Sequence, residues 1–158
     1  MPELPAGPQR VKEFLDGRGY DKDLVVIDES CATAQGAADG LGVELGQIVK
    51  SIIFRRKADD AAVLVMTSGS NRVDEKKVSA RVGKVGKADA AFVKAKTGFT
   101  IGGVAPVAHA EPPVVLIDQD LAGYDVVWAA AGHPAWMFAV TPEALVEYTG
   151  APLADVAV

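Results

Sequence analysis

The stretch GQIVKSIIFRRKADDAAVLVMT, residues 46–67, contains two apolar runs separated by a polar segment. Residues 49–54 and 61–67 are rich in the branched side chains that favour strands. The segment between them, Lys57-Ala58-Asp59-Asp60, is polar and of turn length. The stretch therefore predicts a β-hairpin.

Outside the hairpin, helical and strand patterns alternate irregularly. Helices are predicted at residues 9–17, 34–41, 73–82 and 89–96, and from Pro142 onward. Further strands are predicted at residues 24–27, 114–117, 125–130 and 136–140. Thr33 and Thr141 are in position to cap their helices, and Gly42 and Gly98 to end theirs. The pattern favours an α/β fold with a mixed β-sheet and peripheral helices.

Length and composition favour one globular domain spanning residues 1–158. Hydrophobic residues make up 49% of the chain and charged residues 23%. No apolar run reaches the ~18 residues of a membrane helix, and the first residues lack the pattern of a signal peptide. Cys31 is the only cysteine, so an internal disulfide is impossible. We expect a cytoplasmic protein that does not bind membranes.

Charge is distributed unevenly along the chain. The net charge is −5, yet residues 50–96 carry twelve basic and five acidic groups, a local net of +7. Residues 97–158 contain no Lys or Arg. A basic segment in an acidic protein can bind a polyanion, and it can equally be a solvated helical face.

Common catalytic and cofactor motifs are absent from the sequence. It contains no Gly-x-Ser-x-Gly elbow, no Walker loop and no Gly-x-Gly-x-x-Gly fingerprint. His109 and His133 are far apart in sequence, and a single cysteine cannot complete a zinc site. We therefore expect neither a metal nor a cofactor.

Three local features remain as candidates for chemistry. Lys50 stands within an apolar run, so it either extends its ammonium out of a core strand or presents it to an anion in a cleft. Gly102 and Gly103 allow a ligand to approach the backbone, or they form a tight turn. His133 lies between two apolar strands, as a catalytic residue or as an ordinary turn residue.

These features occur within motifs that resemble the YbaK/prolyl-tRNA synthetase-associated editing domains. The resemblance extends from about Val11 to Ala151. The motifs, in chain order, are Thr33 with Ala37 and Ala38, residues 41–43 (LGV), 46–55 (GQIVKSIIFR), 71–74 (NRVD) with Lys76 and Lys77, 97–106 (TGFTIGGVAP), 140–145 (VTPEAL) and 149–151 (TGA). The resemblance implies a mixed, curved β-sheet with peripheral helices in a single domain. It also implies a deacylase that hydrolyses the ester joining a wrong amino acid to the terminal ribose of tRNA.

The resemblance also implies the roles of individual residues. The family's lysine falls on Lys50, which would orient the terminal phosphate or ribose. Backbone N–H groups at Gly102 and Gly103 would hold the ester carbonyl as charge develops on its oxygen. The attacking water would be activated by the ribose hydroxyl or oriented by His133. The residues implied in substrate binding, within a small pocket that excludes large amino acids, are Thr33, Ser51, Pro106 and Gly132.

The sequence at Gly132-His133 bears on which amino acid is removed. It resembles family members that clear alanine from proline tRNA, whereas members acting on cysteinyl-tRNA have a Gly-Arg/Lys-Arg-Gly-Leu stretch there. A cysteinyl-tRNA deacylase and a non-catalytic module that binds aminoacyl-tRNA or a synthetase remain alternatives. The expected partners are the acceptor end of aminoacyl-tRNA and prolyl-tRNA synthetase. The predicted RNA-binding residues are Arg55, Arg56, Arg72, Lys76, Lys77, Arg81, Lys84 and Lys87.

Overall fold

The helices and strands alternate irregularly along the chain, as predicted. The computed structural model describes residues 4–28 and 33–158, so Cys31 lies outside the described residues. The helices are α1 (Ala6–Gly17), α2 (Ala34–Leu41), α3 (Glu75–Val82), α4 (Ala90–Thr97) and α5 (Pro142–Thr149). The strands are β1 (Val25–Val26), β2 (Val49–Arg56), β3 (Ala62–Ser68), β4 (Val85–Lys87), β5 (Val114–Asp118), β6 (Val127–His133), β7 (Trp136–Val140) and β8 (Leu153–Ala154).

The predicted hairpin forms the centre of a five-stranded sheet. Strands β2 and β3 pair antiparallel, with Lys50 opposite Thr67. Strand β5 runs parallel to β3, β8 runs parallel to β5, and β4 pairs antiparallel with the end of β2. The order is β4-β2-β3-β5-β8, and the sheet is mixed, as predicted.

A second, three-stranded sheet has the order β1-β7-β6 and is antiparallel. The sequence predicted one sheet, whereas the structure has two, with a parallel bridge between Ile48 and Trp128 connecting them. Periodicity identifies strands, but their partners are chosen by contacts between residues that are distant in sequence. The sequence pattern therefore could not predict that the strands divide into two sheets.

Apolar clusters cover both faces of the larger sheet. The main cluster joins one face to α1 and to the smaller sheet, and includes Leu15, Phe99 and Phe138. A second cluster places Val78 of α3 on the opposite face. Every residue of β3 is buried, which explains its nearly continuous apolar sequence.

Helix ends follow the predicted capping signals. The Thr33 hydroxyl accepts a hydrogen bond from the Gly36 N–H at 3.0 Å, and Gly42 ends α2 in the left-handed region with φ of 70°. The sequence placed Asp74 in the first turn of α3. The structure instead makes it the cap, because its carboxylate accepts from the backbone of Lys76 and Lys77. None of the described helices is long and apolar enough to cross a membrane.

Candidate active site

A cleft of about 290 Å³ lies where α2 and the first half of β2 meet the loop that precedes Val104. Its other walls include the apolar side chains of Ala37, Ala130 and Met137. The predicted site residues that line it are Thr33, Lys50, Ser51 and Gly102. Residues far apart in sequence therefore converge on one small, largely apolar cleft.

Lys50 supplies the cationic group of the cleft. Its side chain is half-buried, and the Nζ atom donates a hydrogen bond to the backbone carbonyl oxygen of Asn71 at 2.7 Å. No carboxylate of the described residues forms an ion pair with it. An ammonium has three N–H donors, so two remain for a ligand.

A network that the sequence did not predict holds this carbonyl in place. The Asn71 side-chain amide donates to Asp118 and to Asp120, each at 2.8 Å. Asp118 is only 1% exposed and also accepts from the backbone N–H groups of Ser68 and Asp120, each at 3.0 Å. Burial of a carboxylate costs free energy, and hydrogen bonds to its oxygen atoms offset that cost. Asn71 stood within a family motif, but nothing in the sequence around Asp118 singled it out.

The Gly102-Gly103 turn contributes one candidate donor. The Gly103 N–H donates to the Thr100 carbonyl oxygen at 3.0 Å and is therefore engaged within the turn. Gly102 lines the cleft with φ of 91°, and its N–H makes no hydrogen bond to a described residue. Of the two predicted donors, Gly102 is the one left available in this conformation.

Gly103 has a packing role instead. A Cβ atom at this position would lie 2.9 Å from His133 Cα and 3.0 Å from Pro134 Cδ. Real Cβ atoms essentially never come so close to backbone, so only glycine lets the two loops touch. The turn at Gly103 therefore sets the position of the His133-Pro134 turn.

His133 lies at the end of β6, beside the cleft. Its Nδ1 atom accepts a hydrogen bond from the Ala135 N–H at 3.2 Å, which places the proton of the neutral imidazole on Nε2. Pro134 lines the cleft, whereas the imidazole is not among its lining groups. His133 is thus adjacent to the cleft in a fixed tautomer.

The two remaining predicted substrate residues lie elsewhere. Gly132 packs against α1, where an added Cβ would lie 2.5 Å from the carbonyl carbon of Gly7. Pro106 is buried beside a different cavity, which His109 also lines. The structure does not place either residue on the wall of the cleft.

Ser51 and Thr33 differ in the state of their hydroxyl groups. The Ser51 Oγ atom is buried and has no hydrogen-bond partner among the described residues. The Thr33 hydroxyl already accepts a hydrogen bond as the cap of α2. A buried, unpaired hydroxyl costs free energy unless a ligand or water pairs with it. Of the two hydroxyls, that of Ser51 is therefore the one that lacks a partner in the described part of the chain.

The predicted RNA-binding residues separate into paired and unpaired groups. Arg56 forms a bidentate ion pair with Asp59, and its hydrogen bonds lower the pKa of that carboxyl to about 2. Lys77 binds Asp155 at 3.0 Å and the Ala157 carbonyl oxygen at 2.7 Å. Those without an ion pair to a described residue are Arg72, Lys76, Arg81, Lys84 and Lys87.

Across residues 4–28 and 33–158, no group of three or more His, Cys, Asp or Glu side chains is placed to hold a metal ion. His109, the other histidine, is half-buried outside the cleft. Its Nε2 atom lies 2.6 Å from the Ala105 carbonyl oxygen, and its ring packs edge-on against Phe99. Burial lowers the pKa of His109. These contacts are those of a structural histidine.

Comparison with known proteins identifies the family. Residues 28–148 match the model of the aminoacyl-tRNA editing domain. The chain therefore belongs to the aminoacyl-tRNA editing domain family. The predicted family, the α/β fold and the class of activity, aminoacyl-tRNA deacylation, are confirmed.

Individual relatives agree with this family. A crystal structure of a "putative trans-editing enzyme for prolyl tRNA synthetase" matches with a TM-score of 0.92 at 40% identity, over 99% of each chain. The uncharacterized protein YwhH of Bacillus subtilis is 32% identical over 130 residues, which is 82% of each chain. The "Putative Cys-tRNA(Pro)/Cys-tRNA(Cys) deacylase EbsC" of Enterococcus faecalis is 25% identical over 130 residues, 81% of this chain and 79% of its own.

Proposed function

We propose that this protein removes a small amino acid, with alanine as the first candidate, from proline tRNA in trans. The observation that carries the proposal is the convergence of Lys50, Ser51 and Gly102 on one small apolar cleft. A structural neighbour described as acting for prolyl-tRNA synthetase supports the choice of tRNA. That synthetase is the partner we propose, and the cytoplasm is the proposed location.

The chemistry requires positioning more than a strong nucleophile, because an aminoacyl ester is already activated. Lys50 keeps two N–H donors for the terminal phosphate or ribose, since Asn71 occupies only one. The Gly102 N–H would stabilise the charge that develops on the carbonyl oxygen. The water would be activated by the ribose hydroxyl, or be oriented by the Nε2–H group of His133.

The walls of the cleft provide selection by size. Small side chains leave space within the cleft, and bulkier ones bound that space. The small ones are Ala34, Ala37 and Ala130, and the bulkier ones are Met137 and Pro134. A pocket of this kind rejects a larger side chain by steric clash, but it discriminates weakly against a smaller one. Alanine should therefore be hydrolysed well, and proline, the correct amino acid, poorly.

The test is a panel of aminoacylated tRNAs with the amino acid varied on proline tRNA, and then the tRNA varied under alanine. We expect alanyl-tRNA to be hydrolysed at least about tenfold faster than prolyl-tRNA. Equal hydrolysis of the two would contradict selection by size. Tight binding without hydrolysis of any member would identify a non-catalytic binding module.

Cysteine is the second candidate amino acid, favoured by the name of the relative EbsC. The cysteine side chain exceeds that of alanine by one sulfur atom, so a cleft sized for small residues can admit both. Against it stands the sequence at Gly132-His133, which differs from the basic stretch of members acting on cysteinyl-tRNA. Cysteinyl-tRNA in the same panel decides between the two.

A further inference from the structure

The cleft opens into a groove that follows the edge of β2. This β2-edge groove, of about 480 Å³, shares Ser51 and Gly102 with the cleft and reaches Lys87 at its far end. Lys87 also lines a hollow that contains Arg55 and Phe92. Shared lining residues thus connect the cleft, the groove and the hollow into one track.

We propose that the single-stranded 3′ end of the tRNA lies in the β2-edge groove. Its terminal nucleotide would enter the cleft, and the preceding nucleotides would run toward Lys87. This inference rests on the proposed function, because it places the substrate of that same site.

The open edge of β2 supplies fixed polar groups along this path. Strand β4 pairs only with residues 54–56, so the earlier part of this edge has no partner strand in the described part of the chain. The Arg56 N–H donates to the Ala61 carbonyl oxygen on the hairpin side. Because backbone groups alternate in direction along a strand, those of Ser51 and Ile53 face the groove. They are donors and acceptors suited to riboses and bases.

The side chains along the groove fit a single strand of nucleic acid. Ile101 is 59% exposed at the junction of cleft and groove, where an apolar surface can pack against a base. Lys87 is exposed and has no ion pair with a described residue. The Arg55 side chain is 48% exposed and meets Asp60 only at 3.5 Å. Cations that follow a backbone, together with the Phe92 ring, are the usual components of single-strand binding.

The groove also contains one opposing charge. Glu75, in the first turn of α3, is the carboxylate among the described residues that line it. Phosphates should therefore pass on the Lys87 side of the groove, away from Glu75. Asp89, in the hollow beyond, accepts a hydrogen bond from the Phe92 N–H at 2.8 Å and caps α4.

The decisive variant is Lys87→Glu, with Lys57→Glu as a matched control. Both lysines are exposed and belong to the same basic segment, but Lys57 does not line the groove and is not one of the predicted RNA-binding residues. Each variant is assayed on alanyl-tRNA and on the alanyl ester of adenosine, which lacks the preceding nucleotides. We expect Lys87→Glu to lower kcat/KM on alanyl-tRNA about tenfold or more and to leave hydrolysis of the adenosine ester within about twofold. Lys57→Glu should leave both rates within about twofold.

Equal losses in the two variants, or no loss in Lys87→Glu, would overturn the groove as the RNA path.

Binding of a labelled single-stranded RNA ending in CCA, measured by fluorescence anisotropy, separates this inference from the proposed activity. If the wild-type chain hydrolyses no ester, the proposed function fails, yet RNA binding lost in Lys87→Glu and retained in Lys57→Glu still supports the groove. Binding that neither variant changes overturns it. Glu75→Gln should tighten RNA binding, and weaker binding would contradict the proposed phosphate path.

Discussion

The Nζ atom of Lys50 lies 2.7 Å from the backbone carbonyl oxygen of Asn71. The cation is thus held by a carbonyl dipole, and not by a carboxylate, which would neutralise its charge. The carbonyl is itself fixed, because the Asn71 amide bridges Asp118 and Asp120. The lysine is therefore oriented while its charge stays available to an anionic or polar ligand.

Replacement of Lys50 should remove activity without unfolding the protein. We expect Lys50→Ala to slow single-turnover deacylation by about a hundredfold or more, because the substrate loses its orienting cation. Lys50→Arg keeps the charge but changes its geometry, and should retain only part of the activity. Thermal unfolding measured by circular dichroism serves as the control for folding. Deacylation by Lys50→Ala at the wild-type rate would remove Lys50 from the mechanism.

Loss of the Asn71 amide should act on catalysis through Lys50. Asn71→Ala leaves the buried Asp118 without one of its donors, which costs about 1–3 kcal/mol of unfolding free energy. The lysine would then lose its fixed acceptor, so kcat should fall more than KM changes. Ser70→Ala, an exposed neighbour whose hydroxyl lies 3.1 Å from that of Ser68, is the control. If kcat in Asn71→Ala matches that of Ser70→Ala, Asn71 does not position Lys50.

A methyl group at Gly103 should disturb the candidate active site by displacing one of two loops beside the cleft. In Gly103→Ala the new Cβ would lie 2.9 Å from His133 Cα, so one of the two loops must move. We expect a loss of about 1–3 kcal/mol in stability and a clear fall in kcat. Gly123→Ala, where an added Cβ meets nothing within 4 Å, should leave both unchanged. Gly103→Ala with wild-type stability and kcat would show that the contact is dispensable.

His109 should make stability depend on pH. Its folded-state pKa is lowered by burial, so below the usual value of about 6.5 the unfolded chain binds a proton that the folded chain resists. The contribution is fully present above that pH and is lost as the pH falls below it. Urea unfolding at about pH 7.5 and about pH 5.5 measures the effect, and His109→Gln should reduce the difference. An undiminished difference in that variant would assign the dependence to other groups.

Local signals in the sequence predicted most of the fold. Runs of branched apolar residues and the polar turn between them identified the hairpin, and capping residues such as Thr33 and Thr141 located two helix starts. Strand β1 is equally short but lies in an apolar run of four residues, 24–27, whereas β4 (VGK) and β8 (LA) have no such run, so both escaped prediction. Short strands of this kind are defined by their partners, not by their own sequence.

The candidate site was predictable in its residues more than in its contacts. Lys50, Ser51 and Gly102 do line one cleft. The engagement of the Gly103 N–H within its own turn, and the link from Asp118 to Asn71, depend on tertiary geometry that no motif encodes. The roles assigned to all the site residues stay predictions, and Pro106 and Gly132 lie off the cleft wall.

The contact between Gly7 and Gly132 has a consequence for the order of folding. A Cβ at Gly7 would lie 2.0 Å from the Gly132 carbonyl oxygen, so the first turn of α1 rests directly on the backbone that leads into His133. The two glycines are separated by 132 − 7 = 125 positions in the chain. Closing so long a loop is entropically costly and is expected late in folding. Catalytic competence should therefore appear only after α1 has docked onto a strand that lies more than a hundred positions later in the chain.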